Sequence, residues 1–276
     1  MALLAKSIGC YINLLSYVAP DKAFQMAYKF FSNPRQGRLK ANELPHILQN
    51  AQLETLHENG QTIQTYIWKG NQNVILLAHG WESNASRWEK LLPHLLLTGQ
   101  TIIAIDAPAH GLSSGKEFNV PLYTSYLNLV AKKHNAKQIV GHSMGGIAAV
   151  YYQYLYPDHS LEKMVLLGAP SDFAIILDNY IKMLGLNNKI RKAFHDYTLE
   201  RFNLKIPDFS GKNFIQNSKI PGIIAHDIND KIVLYDEAKK LAESWKTAEF
   251  IATTGFGHSL HDEELNQKIS DFLSGA

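Results

Sequence analysis

From residue 74 onward the chain is punctuated by short apolar runs at 74–78, 101–105, 138–140, 164–167, 220–225 and 249–252. Their hydrophobicity is largely unbroken, not alternating, which suits strands buried on both faces. Between them lie stretches of helical character at 86–97, 122–134, 144–156, 235–245 and 261–273. Strand alternating with helix predicts right-handed crossovers and a mostly parallel sheet covered by helices on both faces. Ahead of these, runs at 53–57 and 62–68 flank Glu58-Asn59-Gly60, which predicts an antiparallel hairpin at one edge of the sheet.

Two segments stand outside this rhythm. Residues 171–219 lie between two predicted strands but exceed the length of one crossover helix. Helix-like pieces at 173–184 and 189–202, separated by Gly185, make this segment a small helical cap over the strand ends, where an open α/β sheet binds ligands. Residues 1–50 read as an N-terminal helical extension, with helical character over 23–48 interrupted at Asn33-Pro34 and Pro45. In residues 2–20 the only charge is Lys6, and it follows Leu3 and Leu4; Asn13 and Ser16 interrupt the apolar run. A signal peptide wants its charge first and an unbroken run after it, and a membrane span needs about 20 predominantly apolar residues. Leu4, Ile8, Ile12, Leu15 and Val18 instead share one helix face, so a helix packed on the protein is expected. Contact with a membrane, or cover over a substrate entrance, are its alternatives, and a cytoplasmic location is expected.

The length fits one large α/β domain over 51–276 and does not by itself exclude two small ones. The 276 residues are 46 % hydrophobic and 19 % charged, enough to bury a sizeable core. Net charge is +2, from 27 basic and 25 acidic residues, which gives no footing for nucleic acid as a partner. The single cysteine, Cys10, excludes an internal disulfide.

The strongest chemical signal is Gly141-His142-Ser143-Met144-Gly145-Gly146, set between the run at 138–140 and a helix starting near Met144. A nucleophile on a sharp strand-to-helix turn has a strained backbone and needs small neighbours, which glycines on both sides provide. The turn lifts the Ser143 hydroxyl to a helix N-terminus, where backbone N–H groups stabilise negative charge.

His79-Gly80-Trp81, after the run at 74–78, makes the chain resemble the α/β-hydrolase fold family, in its serine esterase and lipase branch. The resemblance continues in Asp106-Ala107-Pro108-Ala109-His110-Gly111-Leu112-Ser113, similar to the family's D-x-P-G-H-G-x-S loop with Ala109 where glycine is usual. His226-Asp227-Ile228-Asn229-Asp230-Lys231-Ile232-Val233 resembles its H-G-x-x-D-x-x-V loop, and Thr254-Gly255-Phe256-Gly257-His258-Ser259 resembles the loop that presents the histidine. The likeness runs from about residue 53 to the C-terminus. It implies Ser143 as nucleophile, Asp230 as acid and His258 as base, in that chain order. It also implies an oxyanion hole from the backbone N–H groups of Trp81 and Met144, and structural places for His79, Asp106 and His110. Asp227 is the fallback acid and His261 the competing base.

The expected reaction is acyl transfer. Imidazole takes the proton of a hydroxyl that is otherwise a poor nucleophile, and the carboxylate fixes the imidazole tautomer. Hydrolysis of a carboxylic ester, by analogy with the family, is the expected activity; thioester, amide or carbon–carbon bond cleavage and acyl transfer use the same triad. A ligand-binding receptor of this fold is the non-catalytic alternative. No cofactor is expected, and no metal: with one cysteine and no H-E-x-x-H spacing, a zinc site has no ligand pattern. The partner is then a small ester or acyl substrate, with Phe173, Ile175, Ile176, Leu177, Tyr180 and Leu184 giving the cap an apolar face, either toward the substrate or onto the sheet.

Overall fold

The computed structural model describes residues 2–158 and 160–275. Helices α1 (Ala2–Val18), α2 (Pro20–Ser32) and α3 (His46–Gln49) precede strands β1 (Gln52–Glu58), β2 (Gln61–Trp68) and β3 (Asn71–Ala78). Then follow α4 (Leu92–Leu97), β4 (Gln100–Ile105), α5 (Val120–His134), β5 (Gln138–His142), α6 (Met144–Leu155) and β6 (Lys163–Leu167). The cap carries α7 (Phe173–Leu184), α8 (Asn188–Phe202) and α9 (Gly211–Ile215), and the chain ends with β7 (Gly222–Asp227), α10 (Tyr235–Ser244), β8 (Ala248–Thr253) and α11 (Glu263–Ser274).

Among the described residues, eight strands form one sheet in the order β1-β2-β4-β3-β5-β6-β7-β8. Only β1–β2 and β2–β4 pair antiparallel; the rest of the sheet is parallel. Asn59 and Gly60, both at positive φ, make the two-residue turn between β1 and β2, with Glu58 opposite Gln61. Alternate strand residues enter opposite cores. Leu76, Ile103, Ile139 and Leu166 pack with α5, α6 and α10, whereas Ile75, Ile102, Val140 and Val165 pack with α4 and α11. That is the two-sided burial the unbroken apolar runs imply. The edge strand β8 departs from it: none of its residues is fully buried.

Other departures have local causes. The expected helix at 86–97 is broken into a 3-10 turn, Ala85–Glu89, and α4, because Pro93 can only open a helix there. Strand β7 begins at Gly222 instead of 220, since Pro221 has no N–H to give the ladder, and runs on to Asp227. Helix α11 starts at Glu263, where the Asp262 side chain accepts from the Leu265 N–H at 2.7 Å; His261 therefore lies before the helix, not in it.

A third core joins the two irregular segments. Ile12, Ala23 and Ala27 of the N-terminal helices are buried with Leu177, Ile181, Leu184 and Phe194 of α7 and α8. Leu4 and Val18, expected on the packed face of α1, are exposed; Gly9, Ile12 and Ser16 take the buried side. Gly9 is required there, because a Cβ would sit 1.8 Å from the Leu184 carbonyl oxygen.

Candidate active site

Ser143 sits between β5 and α6 at φ 52° and ψ −120°, a left-handed backbone that non-glycine residues adopt only under constraint. The constraint is visible. The Ser143 N–H donates to the Leu167 carbonyl at 2.8 Å, and its own carbonyl accepts from Gly146 at 2.9 Å. Glycine permits the close packing around it: a Cβ at Gly145 would lie 2.1 Å from the Ala78 oxygen, and one at Gly80 would lie 2.8 Å from the Ser143 Cβ. The elbow is thus pressed against the turn that follows β3, which carries Trp81. Met144 is the first residue of α6, so its N–H has no acceptor within the helix and faces outward with the helix dipole.

The loop after β8 brings His258 to the same end of the sheet. His258 Nδ1 lies 2.7 Å from Asp230 Oδ2, and Asp230 Oδ1 accepts from the N–H groups of Ile232 at 2.8 Å and Val233 at 3.0 Å. Burial pushes the Asp230 carboxyl up, but hydrogen bonds from His226, His258 and the Ile232 N–H outweigh it and hold the carboxyl well below the usual range. A permanent carboxylate at Nδ1 leaves Nε2 of His258 as the nitrogen free to accept a proton. Gly168, which follows Leu167, lies under this ring; a Cβ there would be 3.3 Å from His258 Nδ1.

Of the two candidate acids, Asp230 meets His258 and Asp227 does not. Asp227 accepts from the Asn229 N–H, the Thr253 hydroxyl and the Phe256 N–H, each at 2.9 Å, and so ties the β7 loop to the histidine loop. His261 points elsewhere, its Nε2 lying 3.2 Å from an Arg87 guanidinium nitrogen.

His79, Asp106 and His110 are buried and fully engaged in holding loops. His79 Nδ1 donates to the Gly80 carbonyl at 2.7 Å while Nε2 accepts from the Ala107 N–H at 2.9 Å, and burial lowers its pKa to about 3. Asp106 accepts from the Ala85 and Leu112 N–H groups and the Tyr66 hydroxyl, all at 2.9 Å. His110 Nδ1 donates to the Pro108 carbonyl at 2.8 Å, and its Nε2 accepts from the Glu82 N–H at 2.9 Å.

Two histidines gain parts that sequence reasoning did not give them. His142 Nε2 lies 2.9 Å from the His258 carbonyl oxygen, with ring centroids 4.8 Å apart. His226 Nε2 lies 2.8 Å from the Val233 carbonyl and 3.4 Å from Asp230 Oδ2, a second brace for the carboxylate. A histidine in each motif was the available signal, but nothing local says what it faces.

Ser143, Met144 and Trp81 line one wall of a cavity of about 400 Å³, within the range of small-molecule sites. Of the six residues on the apolar face of the cap, Phe173, Ile176 and Tyr180 of α7 line it, joined by Asn179 and Met183. Ile175, Leu177 and Leu184 do not line it; Leu177 and Leu184 are on the face of α7 that packs against α1 and α2. The N-terminal extension supplies a further wall, through Tyr28, Phe30, Phe31 and Arg35, to which the sequence assigned no part in the site. Tyr28 and Arg201 both reach Glu117, Arg201 at 2.8 Å, and pin that wall in place. Among the described residues no cluster of three or more His, Cys, Asp or Glu side chains is arranged to hold a metal ion.

Comparison with known proteins gives the same architecture. A family model of the alpha/beta hydrolase fold matches residues 73–198. A serine hydrolase-like protein of Danio rerio is 35 % identical over 127 residues, covering 42 % of this chain and 38 % of that protein. A bifunctional esterase/perhydrolase of Acinetobacter calcoaceticus is 24 % identical over 254 residues, covering 73 % of this chain and 90 % of that protein. The crystal structure described as a lipase of Acinetobacter baumannii superposes with a TM-score of 0.64 at 19 % identity, over 85 % of this chain and 98 % of that one.

Proposed function

From an α/β-hydrolase fold we propose that this chain belongs to that superfamily and is a serine hydrolase cleaving carboxylic esters of apolar acyl groups. Ser143 Oγ attacks the ester carbonyl as His258 Nε2 takes its proton; the negative charge on the carbonyl oxygen is met by the N–H groups of Trp81 and Met144. His258 then protonates the departing alkoxide, leaving an acyl-serine. Water, deprotonated by His258, attacks that acyl group and releases the acid and the free serine. Asp230 stays ionised throughout, orienting the ring and stabilising the imidazolium. Each oxyanion donor is worth about 3–4 kcal/mol in the transition state.

The observation that carries this reading is Ser143, held in a left-handed backbone in the wall of an apolar cavity, on an elbow whose His142 ring bonds the loop of His258. The name of the A. calcoaceticus esterase/perhydrolase agrees with an ester. Residues 1–50 and 171–219 act together as one cap over the domain of residues 51–276. The Tyr180 hydroxyl supports this by bonding the Ala27 carbonyl at 2.7 Å across the two segments.

The test is a fluorophosphonate probe with the wild type and Ser143→Ala, followed by p-nitrophenyl esters of increasing chain length beside a thioester and an amide. Labelling of the wild type alone, with turnover of the esters, supports the reading. Labelling with turnover of only the thioester or amide replaces the bond, and an unlabelled wild type points to a receptor.

A further inference from the structure

The outward face of α1 is largely apolar, with Lys6 at its edge. Leu3, Leu4, Cys10, Tyr11, Leu14, Tyr17 and Val18 are exposed and follow helical spacing, with Ser7 the polar interruption. Monomeric surfaces rarely leave such a contiguous stripe uncovered. Nor is it a loosely attached helix. On the inward face Asn13 Nδ2 donates to the Gly185 carbonyl at 2.8 Å and Asn13 Oδ1 accepts from the Asn187 N–H at 2.8 Å. Lys6 Nζ donates to the Lys182 carbonyl at 2.6 Å. The stripe is presented by a helix fixed to the cap.

We propose that this face of α1 docks the protein on the surface of an anionic phospholipid bilayer. Charge selects the occupant. Residues 1–32 and 173–205, which hold α1, α2, α7 and α8, contain nine Lys and Arg against four Asp and Glu, in a chain that is nearly balanced overall. Lys189 Nζ sits 4.0 Å from the Tyr17 ring centroid at the edge of the stripe, and Lys22 is exposed just beyond its C-terminal end, beside Asp21. Apolar residues flanked by cations and tyrosines match an acyl layer topped by phosphate headgroups. Among the described residues no helix is long and apolar enough to cross a bilayer, so a docked α1 would lie along the surface. Met183, next to the Lys182 whose carbonyl holds Lys6, is exposed and lines the cavity, so the cavity reaches the part of α7 to which α1 is fixed. Docking does not rest on the proposed reaction, because it is read without turnover.

The test uses the full chain and vesicles of phosphatidylcholine, alone or mixed with phosphatidylglycerol. A polarity-sensitive fluorophore on Cys10, the chain's single cysteine, reports entry of the stripe into lipid. The expected result is a blue shift and co-flotation with the anionic vesicles only, weakening as salt is raised. Leu14→Glu and Val18→Glu, at positions 67 % and 81 % exposed, each lower the partition constant roughly tenfold or more without changing the melting temperature. Unshifted emission with anionic vesicles overturns the proposal, as does binding that both substitutions leave intact. So does a dimer in gel filtration that they dissolve, which would make a second copy of the chain the occupant.

Discussion

The imidazole of His142 donates from Nε2 to the backbone carbonyl of His258 at 2.9 Å, so the residue before the elbow serine holds the loop that carries the proposed base. Burial, with the charges of Arg87 and His258, keeps His142 well below its ordinary pKa, so it remains neutral with its proton on Nε2. Replacing it by Phe preserves the ring but leaves a carbonyl without its donor, a cost of about 1–3 kcal/mol. His142→Phe is expected to lower kcat on a soluble ester at least about tenfold while KM changes little, since the substrate cavity is lined by other residues. Steady-state kinetics decide it; an unchanged kcat removes His142 from the positioning of His258.

Asp227 and Asp230 lie three residues apart and are predicted to fail differently. Asp230→Asn removes the charge that fixes the His258 tautomer, and kcat should fall by roughly 10⁴, the size of loss when a triad aspartate becomes an amide. Asp227→Asn leaves the pair at 2.7 Å intact but turns amide hydrogens toward the Thr253 hydroxyl or Phe256 N–H, so stability falls with activity. The pH dependence separates them further. Unfolded Asp titrates near about 3.9, and the folded Asp230 carboxyl titrates below it. Its contribution to stability is therefore complete above about pH 5 and is lost as pH falls through about 4 and lower. In denaturant titrations the gap between wild type and Asp230→Asn should narrow as pH falls across that window; a gap that widens contradicts a carboxylate stabilised in the fold.

Gly80 is predicted to be intolerant of one methyl group. Its Cβ would lie 2.8 Å from the Ser143 Cβ and 3.2 Å from the His142 carbonyl oxygen, so the turn after β3 or the elbow must shift. Shifts of this kind separate the nucleophile from the oxyanion donors, and a misplacement of about 1 Å costs on the order of 10²-fold. Gly80→Ala should thus lose most of its kcat and label more slowly with the fluorophosphonate, while circular dichroism shows the sheet intact. Wild-type labelling rates would mean the contact is relieved without moving Ser143.

How far the sequence could be read depended on whether a signal was local. Each loop with chemistry follows a strand whose apolar run is visible by itself, and the motifs in those loops resemble the family's, so Ser143, Asp230 and His258 were implied before any geometry. That resemblance, and not the strand pattern, set His79 and His110 apart, since their loops follow apolar runs just as visible. The cap wall built from residues 1–50 was not legible, for a physical reason. Helix α1 is apolar almost all round, and periodicity could not say which side packs; the choice fell to Gly9 and to polar matches such as Asn187 Nδ2 to Ser16 Oγ at 3.0 Å, which join residues 171 positions apart. Likewise α7 is apolar on both flanks, and only packing shows that Ile176 faces the cavity while Leu177 faces α1 and α2.

That division of α7 makes a prediction about substrate length. Ile176 lines the cavity and is only partly buried, so a larger side chain there enters the cavity and leaves the packed core of Leu177 and Ile181 undisturbed. Tryptophan adds several heavy atoms over isoleucine, enough to fill a noticeable part of a cavity of about 400 Å³. If the acyl chain lies in this cavity, Ile176→Trp should depress kcat/KM for octanoyl and longer esters by roughly tenfold or more, since each buried methylene is worth about 0.8 kcal/mol. Acetyl and butyryl esters should be hydrolysed at nearly wild-type rates, because the proposed triad and both proposed oxyanion donors lie on other elements. The measurement is kcat/KM against chain length for both proteins. Equal losses on short and long esters would place the acyl chain elsewhere, and a loss on short esters alone would mean that the indole reaches Ser143 itself.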